Sequence, residues 1–315
     1  MEFLATGRAG DARGLLAGAS TEGATGPSIM LLRAWSAAMA GDWATATAPV
    51  VADNQLTRLF ATMTRAKLLE RNNRFDEAET VYKSLNAQTP NSIFALSYGA
   101  FLERRGRRSD AIAAYDRLLR QNAEPTVELA KARAAANRPA PALVPLREGA
   151  AEALLAPAAL QIARRQPETA LALLRLSLRL NPNQDEAWML VGDAMTGAGD
   201  ETAAREAFER IRPNSSEYVA AQSRLAWSLQ RRGDSEGALK LARANMERSK
   251  ESTPSLAAYA ELLRENNRFE ESIGVMDKLI ARVGDGPESA RLFFLRGMAQ
   301  ERSGHWDRAE PDMEK

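Results

Sequence analysis

The 315-residue chain contains no cysteine. That excludes a disulfide, a thiolate nucleophile and a zinc–thiolate site. It contains one histidine, His305. A Ser-His-acid triad needs its histidine held in a cleft, and a metal needs further ligands beside it. A lone histidine in a turn reads as structural or solvated. Charge of one sign is not in excess: the net charge is +1, so no global field draws the protein to nucleic acid or to a membrane. No apolar run approaches the roughly 18–20 residues that span a bilayer. The opening MEFLATGRAGDARG lacks the charged-then-apolar layout of a signal peptide. A phosphate-cradling loop is also missing, since GAGD (197–200) and VGDGPE (283–288) are short and carry no lysine. The acidic pairs Asp76-Glu77 and Glu270-Glu271 fall where second helices should start. There the helix dipole favours them without any general-acid role. ERRGRRSD (103–110) is basic but has no interleaved aromatics, and it reads as a solvated turn rather than a nucleic-acid surface. The sequence therefore predicts no enzyme activity, no catalytic residue, no metal, no cofactor and no nucleic-acid partner.

What is present is ordinary folded composition, 45% hydrophobic and 26% charged, with the length of two globular domains or one repeat array. RNNRFDEA (71–78) is echoed by ENNRFEES (265–272), 194 residues later. Recurrence at such range marks copies of one unit. The unit emerges from pairs of small residues 12 positions apart: Ala34/Ala46, Ala66/Ala78, Gly99/Ala111, Ala130/Ala142, Ala158/Ala170, Gly192/Ala204, Ala226/Ala238, Ala260/Ser272 and Gly297/Ala309. Their first members are 32, 33, 31, 28, 34, 34, 34 and 37 residues apart. The two NNRF stretches are thus one turn in two copies, with Phe75 and Phe269 packing under it and the asparagines easing the exit from the first helix.

Each unit patterns as helix–turn–helix. In residues 185–214, Trp188, Val191, Gly192 and Met195 share one helical face; Gly197-Ala198-Gly199-Asp200 breaks the helix. Ala203, Ala204, Ala207, Phe208 and Ile211 form a second face, and Pro213 ends it. The pattern is weakest between residues 123 and 170, where NRPAPALVPLREG carries three prolines and Pro145 would damage a helix interior. One short or bent helix is expected there, as a hinge, as a change in superhelical curvature or as a degenerate repeat.

Trp188, Gly192, Ala204 and Phe208 resemble the signature of the tetratricopeptide repeat, a 34-residue two-helix unit. Tyr82, Tyr115, Pro90 and Pro182 fit its second-helix aromatic and its terminal proline. The resemblance covers roughly residues 27–315. It implies an all-α, right-handed α-solenoid of about nine helix–turn–helix units, of bacterial type. The expected organisation is an N-terminal partial repeat or cap over 1–26, units 1–3 over 27–122, degenerate proline-containing units 4–5 over 123–182, and units 6–9 over 183–315. The last unit stops within its second helix, so a fragment of a longer repeat protein is expected.

In this family the first helices line the concave face. The resemblance implies that Leu31, Trp35, Met63, Lys67, Leu96, Glu103, Lys131, Met189, Asp193, Ser223, Trp227, Glu261, Arg264, Phe294 and Met298 face inward. Some members clamp a C-terminal carboxylate with lysines and asparagines on successive first helices. Here only Lys67 and Lys131 resemble that arrangement, two units apart with Ala100 between them, so a ligand of that kind is not implied. The apolar members suggest an adaptable groove for an amphipathic helix or extended segment. The alternative is that several of them, Trp35 and Trp227 among them, pack between adjacent units. The expected function is a non-enzymatic protein–protein interaction scaffold binding a peptide or protein segment in the groove. Two alternatives stand beside it: a structural assembly factor or envelope component that self-associates or docks other subunits through its convex face or uncapped terminal repeats, and a regulatory arm of a longer protein. Ala/Arg-rich, Lys-poor usage resembles soluble bacterial repeat proteins from GC-rich genomes, many of them exported, which favours the periplasm over the cytoplasm.

Overall fold

The computed structural model describes residues 2–23, 25–52, 54–121, 124–284 and 287–314. The expected boundary at 122/123 and positions 285 and 286 of VGDGPE lie outside them. Every regular element among the described residues is a helix. The chain divides into two compact units, Met1–Leu190 and Val191–Lys315.

The first unit holds α1 (Glu2–Ala5), α2 (Ala9–Gly18), α3 (Gly26–Met39), α4 (Trp43–Ala46), α5 (Gln55–Arg71), α6 (Phe75–Gln88), α7 (Ser92–Arg104), α8 (Arg108–Leu119), α9 (Pro125–Ala135), α10 (Leu146–Glu152), α11 (Leu155–Ala163) and α12 (Pro167–Leu180). The division falls inside α13 (Asp185–Gly197). The second unit continues with α14 (Glu201–Glu209), α15 (Tyr218–Arg231), α16 (Ser235–Arg248), α17 (Thr253–Glu265), α18 (Phe269–Val283), α19 (Pro287–Arg302) and α20 (Trp306–Met313). Sequence neighbours pack as hairpins, among them α5 with α6, α7 with α8, α11 with α12, α15 with α16, α17 with α18 and α19 with α20.

One hydrogen bond closes these hairpins in the same way. Arg74 N–H donates to Leu69 O at 2.9 Å, Arg107 to Leu102 at 2.9 Å, Asp200 to Met195 at 2.9 Å, Arg268 to Leu263 at 2.8 Å and His305 to Gln300 at 2.8 Å. The residue before each donor is left-handed: Asn73 (φ 61°), Gly106 (74°), Gly199 (81°), Asn267 (57°) and Gly304 (82°). This is the C-terminal motif in which a left-handed residue lets the chain satisfy the last carbonyls of a helix. Asparagine is among the few residues besides glycine that enter that region readily, which is why NNRF and GD-type turns interchange. Phe75 is half-buried against the first unit's core, with the Arg105 guanidinium 3.9 Å above its ring. Aspartates then cap several second helices, Asp200 accepting from Ala203 N–H at 3.0 Å and Asp234 from Gly237 N–H at 2.9 Å.

The 12-residue pairs sit where these helices cross. Ala66 and Ala78, Ala158 and Ala170, and Ala226 and Ala238 are all buried. At Ala260/Ser272 the serine hydroxyl donates to the Ala260 carbonyl at 2.8 Å, so the polar member of that pair satisfies itself across the crossing. In the first unit, Tyr82, Tyr98 and Phe101 build an aromatic cluster, with the Tyr82 and Phe101 rings 5.2 Å apart.

Ala130/Ala142 departs from the pattern. Ala130 is buried on α9, but Ala142 is exposed in a stretch, residues 138–145, that holds no helix. Prolines 139, 141 and 145 fix their own φ near −65° and push residues 138, 140 and 144 out of the helical region. The expected short helix does form, but only after the last of these prolines. Pro145 (φ −53°, ψ 148°) caps α10, which packs on α3 and α12 rather than on α9. The first unit also closes near its start, where Arg179 on α12 meets Glu2 on α1 at 2.8 Å.

Candidate functional site: the first-helix face

Successive first helices of the first unit carry the same tail, Glu70-Arg71 on α5 and Glu103-Arg104 on α7, 33 residues apart. Both glutamates are buried. Glu70 accepts from Arg104 Nε and Nη2 at 2.7 and 2.8 Å and from the Tyr82 hydroxyl at 3.3 Å. Glu103 accepts from the Tyr115 hydroxyl at 2.8 Å and from Arg133 Nη2. These ties join one hairpin to the next through a charge-assisted pair. Burial, with the Glu103 carboxylate it donates to, raises the Tyr115 phenol well above its usual range. Tyr82 is raised in the same way beside Glu70. Both phenols therefore act as fixed donors.

The first unit's inward positions are largely covered. Leu31, Trp35 and Met63 are buried and Leu96 is half-buried. Trp35 lies under α10: a Cβ on Gly149 would stand 2.2 Å from its ring, so only glycine fits there. Lys67 pairs with Glu152 of α10 at 2.6 Å. Residues 138–145 complete the cover. Arg104 Nη1 donates to the Pro141 carbonyl at 2.9 Å, Arg71 Nη2 to those of Leu143, at 3.2 Å, and Val144, and Arg108 Nη2 to that of Arg138 at 3.5 Å. Glu103 serves the tie just described, and Lys131 reaches sideways to Asp116 of α8 at 2.6 Å. Met189 is buried near the end of the unit.

In the second unit the corresponding side chains are more open. Phe294 on α19 is 52% exposed, Met298 lies one turn further along, and Glu261 on α17 is exposed. Arg264, one turn beyond Glu261, pairs with Glu265 at 3.3 Å, while its buried Nε has no hydrogen-bond partner. Trp227 on α15 is half-buried against the unit's core. Asp193 accepts from Arg224 at 3.0 Å, and the Ser223 hydroxyl donates to Val219 O at 3.0 Å. The side chains that sequence reasoning missed are Arg71, Arg104 and Glu70 in the first unit and, in the second unit, the Arg231–Glu201 pair (2.8 Å). The Glu-Arg dipeptide ending α5 and α7 was the available signal.

His305 precedes α20 with its Nδ1 3.1 Å from Glu270. Among the described residues, no three His, Asp or Glu side chains converge as a metal site would require. An open cleft of about 480 Å³ lies between the start of α5 and the end of α6, lined by Gln55, Arg58, Leu59 and Ser84 among others.

Helix hairpins that pack on their sequence neighbours within each unit define a helical-repeat scaffold for protein–protein interaction. The tetratricopeptide repeat model matches residues 63–138, 154–219 and 257–315, well over half of the chain, and the chain belongs to that family. Members bind proteins or peptides and are in general non-catalytic scaffolds. Among solved structures the chain is similar to a tetratricopeptide repeat protein from Parabacteroides merdae, at 16% identity over 83% of this chain and 92% of that one, with a TM-score of 0.41. It is also similar to Pseudomonas aeruginosa pilF, at 14% identity over 76% and 90% with a TM-score of 0.44. A third similar structure is the APC/C hetero-tetramer Cut9-Hcn1, at 12% over 99% and 77% with a TM-score of 0.46. Likeness at this level concerns the fold alone. No curated protein matches the chain. Among the described residues no helix is long and apolar enough to cross a membrane.

Proposed function

We propose that the chain binds a peptide or extended protein segment along the first-helix face of its second unit, through Asp193, Ser223, Trp227, Glu261, Arg264, Phe294 and Met298. The observation that carries this reading is the half-exposed Phe294, on the helix pair after the one that bears Glu261 and Arg264. An exposed apolar anchor on one first helix, with a carboxylate and a guanidinium on the preceding first helix, suits a segment that offers one bulky side chain and complementary charge. Peptides selected from a synthetic library against the full chain test it. Phe294→Glu, at an exposed site, is expected to weaken their binding about tenfold or more, equivalent to about 1.4 kcal/mol, with circular dichroism unchanged. Equal affinity for wild type and variant would move the site off this face.

Trp306 (62% exposed) and Met313 (40% exposed) on α20 support a second reading, docking of another copy against that helix. Light scattering should then give a mass that rises with concentration for wild type and stays monomeric for Trp306→Glu. A constant wild-type mass rejects this reading.

A further inference from the structure

Residues 138–145 (RPAPALVP) touch α5, α7 and α8 through their backbone. The hydrogen bonds run from Arg71, Arg104 and Arg108 to the carbonyls of residues 138, 141, 143 and 144. The chemistry of the two sides matches. Prolines 139, 141 and 145 have no N–H, so the segment is chiefly an acceptor, whereas a guanidinium is a donor only. The carboxylates on the same helices do not compete, since Glu70 and Glu103 are already engaged by Arg104 with Tyr82 and by Arg133 with Tyr115. Recognition through carbonyls reads no side chain, so any segment that presents acceptors at the same spacing satisfies the same donors. Proline holds such a segment extended before it binds and lowers the entropy cost of docking.

We propose that residues 138–145 are a strap that fills, in cis, a groove suited to extended proline-containing peptides, and that such a peptide supplied in trans exchanges with it. The groove belongs to the first unit and is independent of the second-unit face proposed above. The strap is tethered at both ends, by α9 and α10, and a short tether gives an effective concentration of about 1 mM. A peptide in trans therefore meets a closed groove until it exceeds that competition or until the strap's grip is weakened.

The probe is a fluorophore-labelled, acetylated and amidated peptide with the sequence of residues 138–145. It is titrated into the full wild-type chain and into a full-chain variant whose residues 139–145 are replaced by glycine and serine at the same length. The expected result is binding to the variant about tenfold or more tighter than to wild type, lost when Arg71→Ala is added. Arg71 is chosen because its hydrogen bonds run to the strap, so its loss should leave the helices in place. No binding to the strap variant, equal affinity for variant and wild type, or binding that survives Arg71→Ala overturns the proposal. If the variant loses its helical circular dichroism, the same titration into the full wild-type chain and into Arg71→Ala alone gives the answer. Binding to wild type at several times the ~1 mM tether value that is lost in Arg71→Ala supports strap displacement; no binding there, or binding that survives Arg71→Ala, overturns it.

Discussion

Arg104→Ala is expected to destabilise the first unit by about 3–5 kcal/mol, the cost of leaving a buried carboxylate without its partner. Glu70 is buried, and Arg104 supplies both arms of a two-pronged pair to it, with Tyr82 the remaining donor. Truncation leaves that buried carboxylate with only the Tyr82 hydroxyl and also frees the Pro141 carbonyl. Arg104→Lys should recover only part of the loss, because an ammonium cannot reproduce the planar fork. Removing both charges separates the stranded-carboxylate cost from lost packing. The double variant Glu70→Leu/Arg104→Ala should be more stable than Arg104→Ala alone. Urea unfolding followed by circular dichroism measures the series. A loss below about 1 kcal/mol for Arg104→Ala would mean that the pair behaves as a screened surface bridge.

Gly192→Val should destabilise the second unit by about 3 kcal/mol, at the upper end for overpacking a well-filled crossing. A Cβ at position 192 would lie 2.2 Å from the Phe208 ring, which is buried. The ring cannot swing into solvent without losing its own burial, so the helices must separate instead. Shortening the ring should offset part of the damage: Phe208→Leu, destabilising alone, is expected to cost less in the Gly192→Val background. Thermal unfolding of the four proteins of the cycle checks this. Additive losses would show that the two positions do not meet at the crossing.

Much of the helical architecture was legible because repeat packing is a nearest-neighbour property. A small residue, another 12 positions on and an aromatic such as Tyr115 or Phe208 encode one hairpin, and each copy repeats the code. The turns were legible too, since Gly106, Gly199 and Asn73 answer one local backbone demand, a left-handed residue after a helix. The inward list was less informative. Helical phase places Leu31, Trp35 and Lys67 on the first-helix face, but phase does not say whether that face is vacant. Trp35 lies against Gly149, and Lys67 pairs with Glu152.

By itself, then, the sequence determined the helical class, the repeat length and the crossings other than Ala130/Ala142, since each depends on residues within about one unit of one another. Pro145 marked where a helix interior is damaged, but the stretch before it holds no helix at all. Only the tertiary structure decided where the released chain goes. Arg71 and Val144 stand 73 positions apart, and what joins them is a guanidinium and a main-chain carbonyl. A carbonyl is common to every residue and leaves no mark in the sequence, so its place in the groove comes from three-dimensional packing alone.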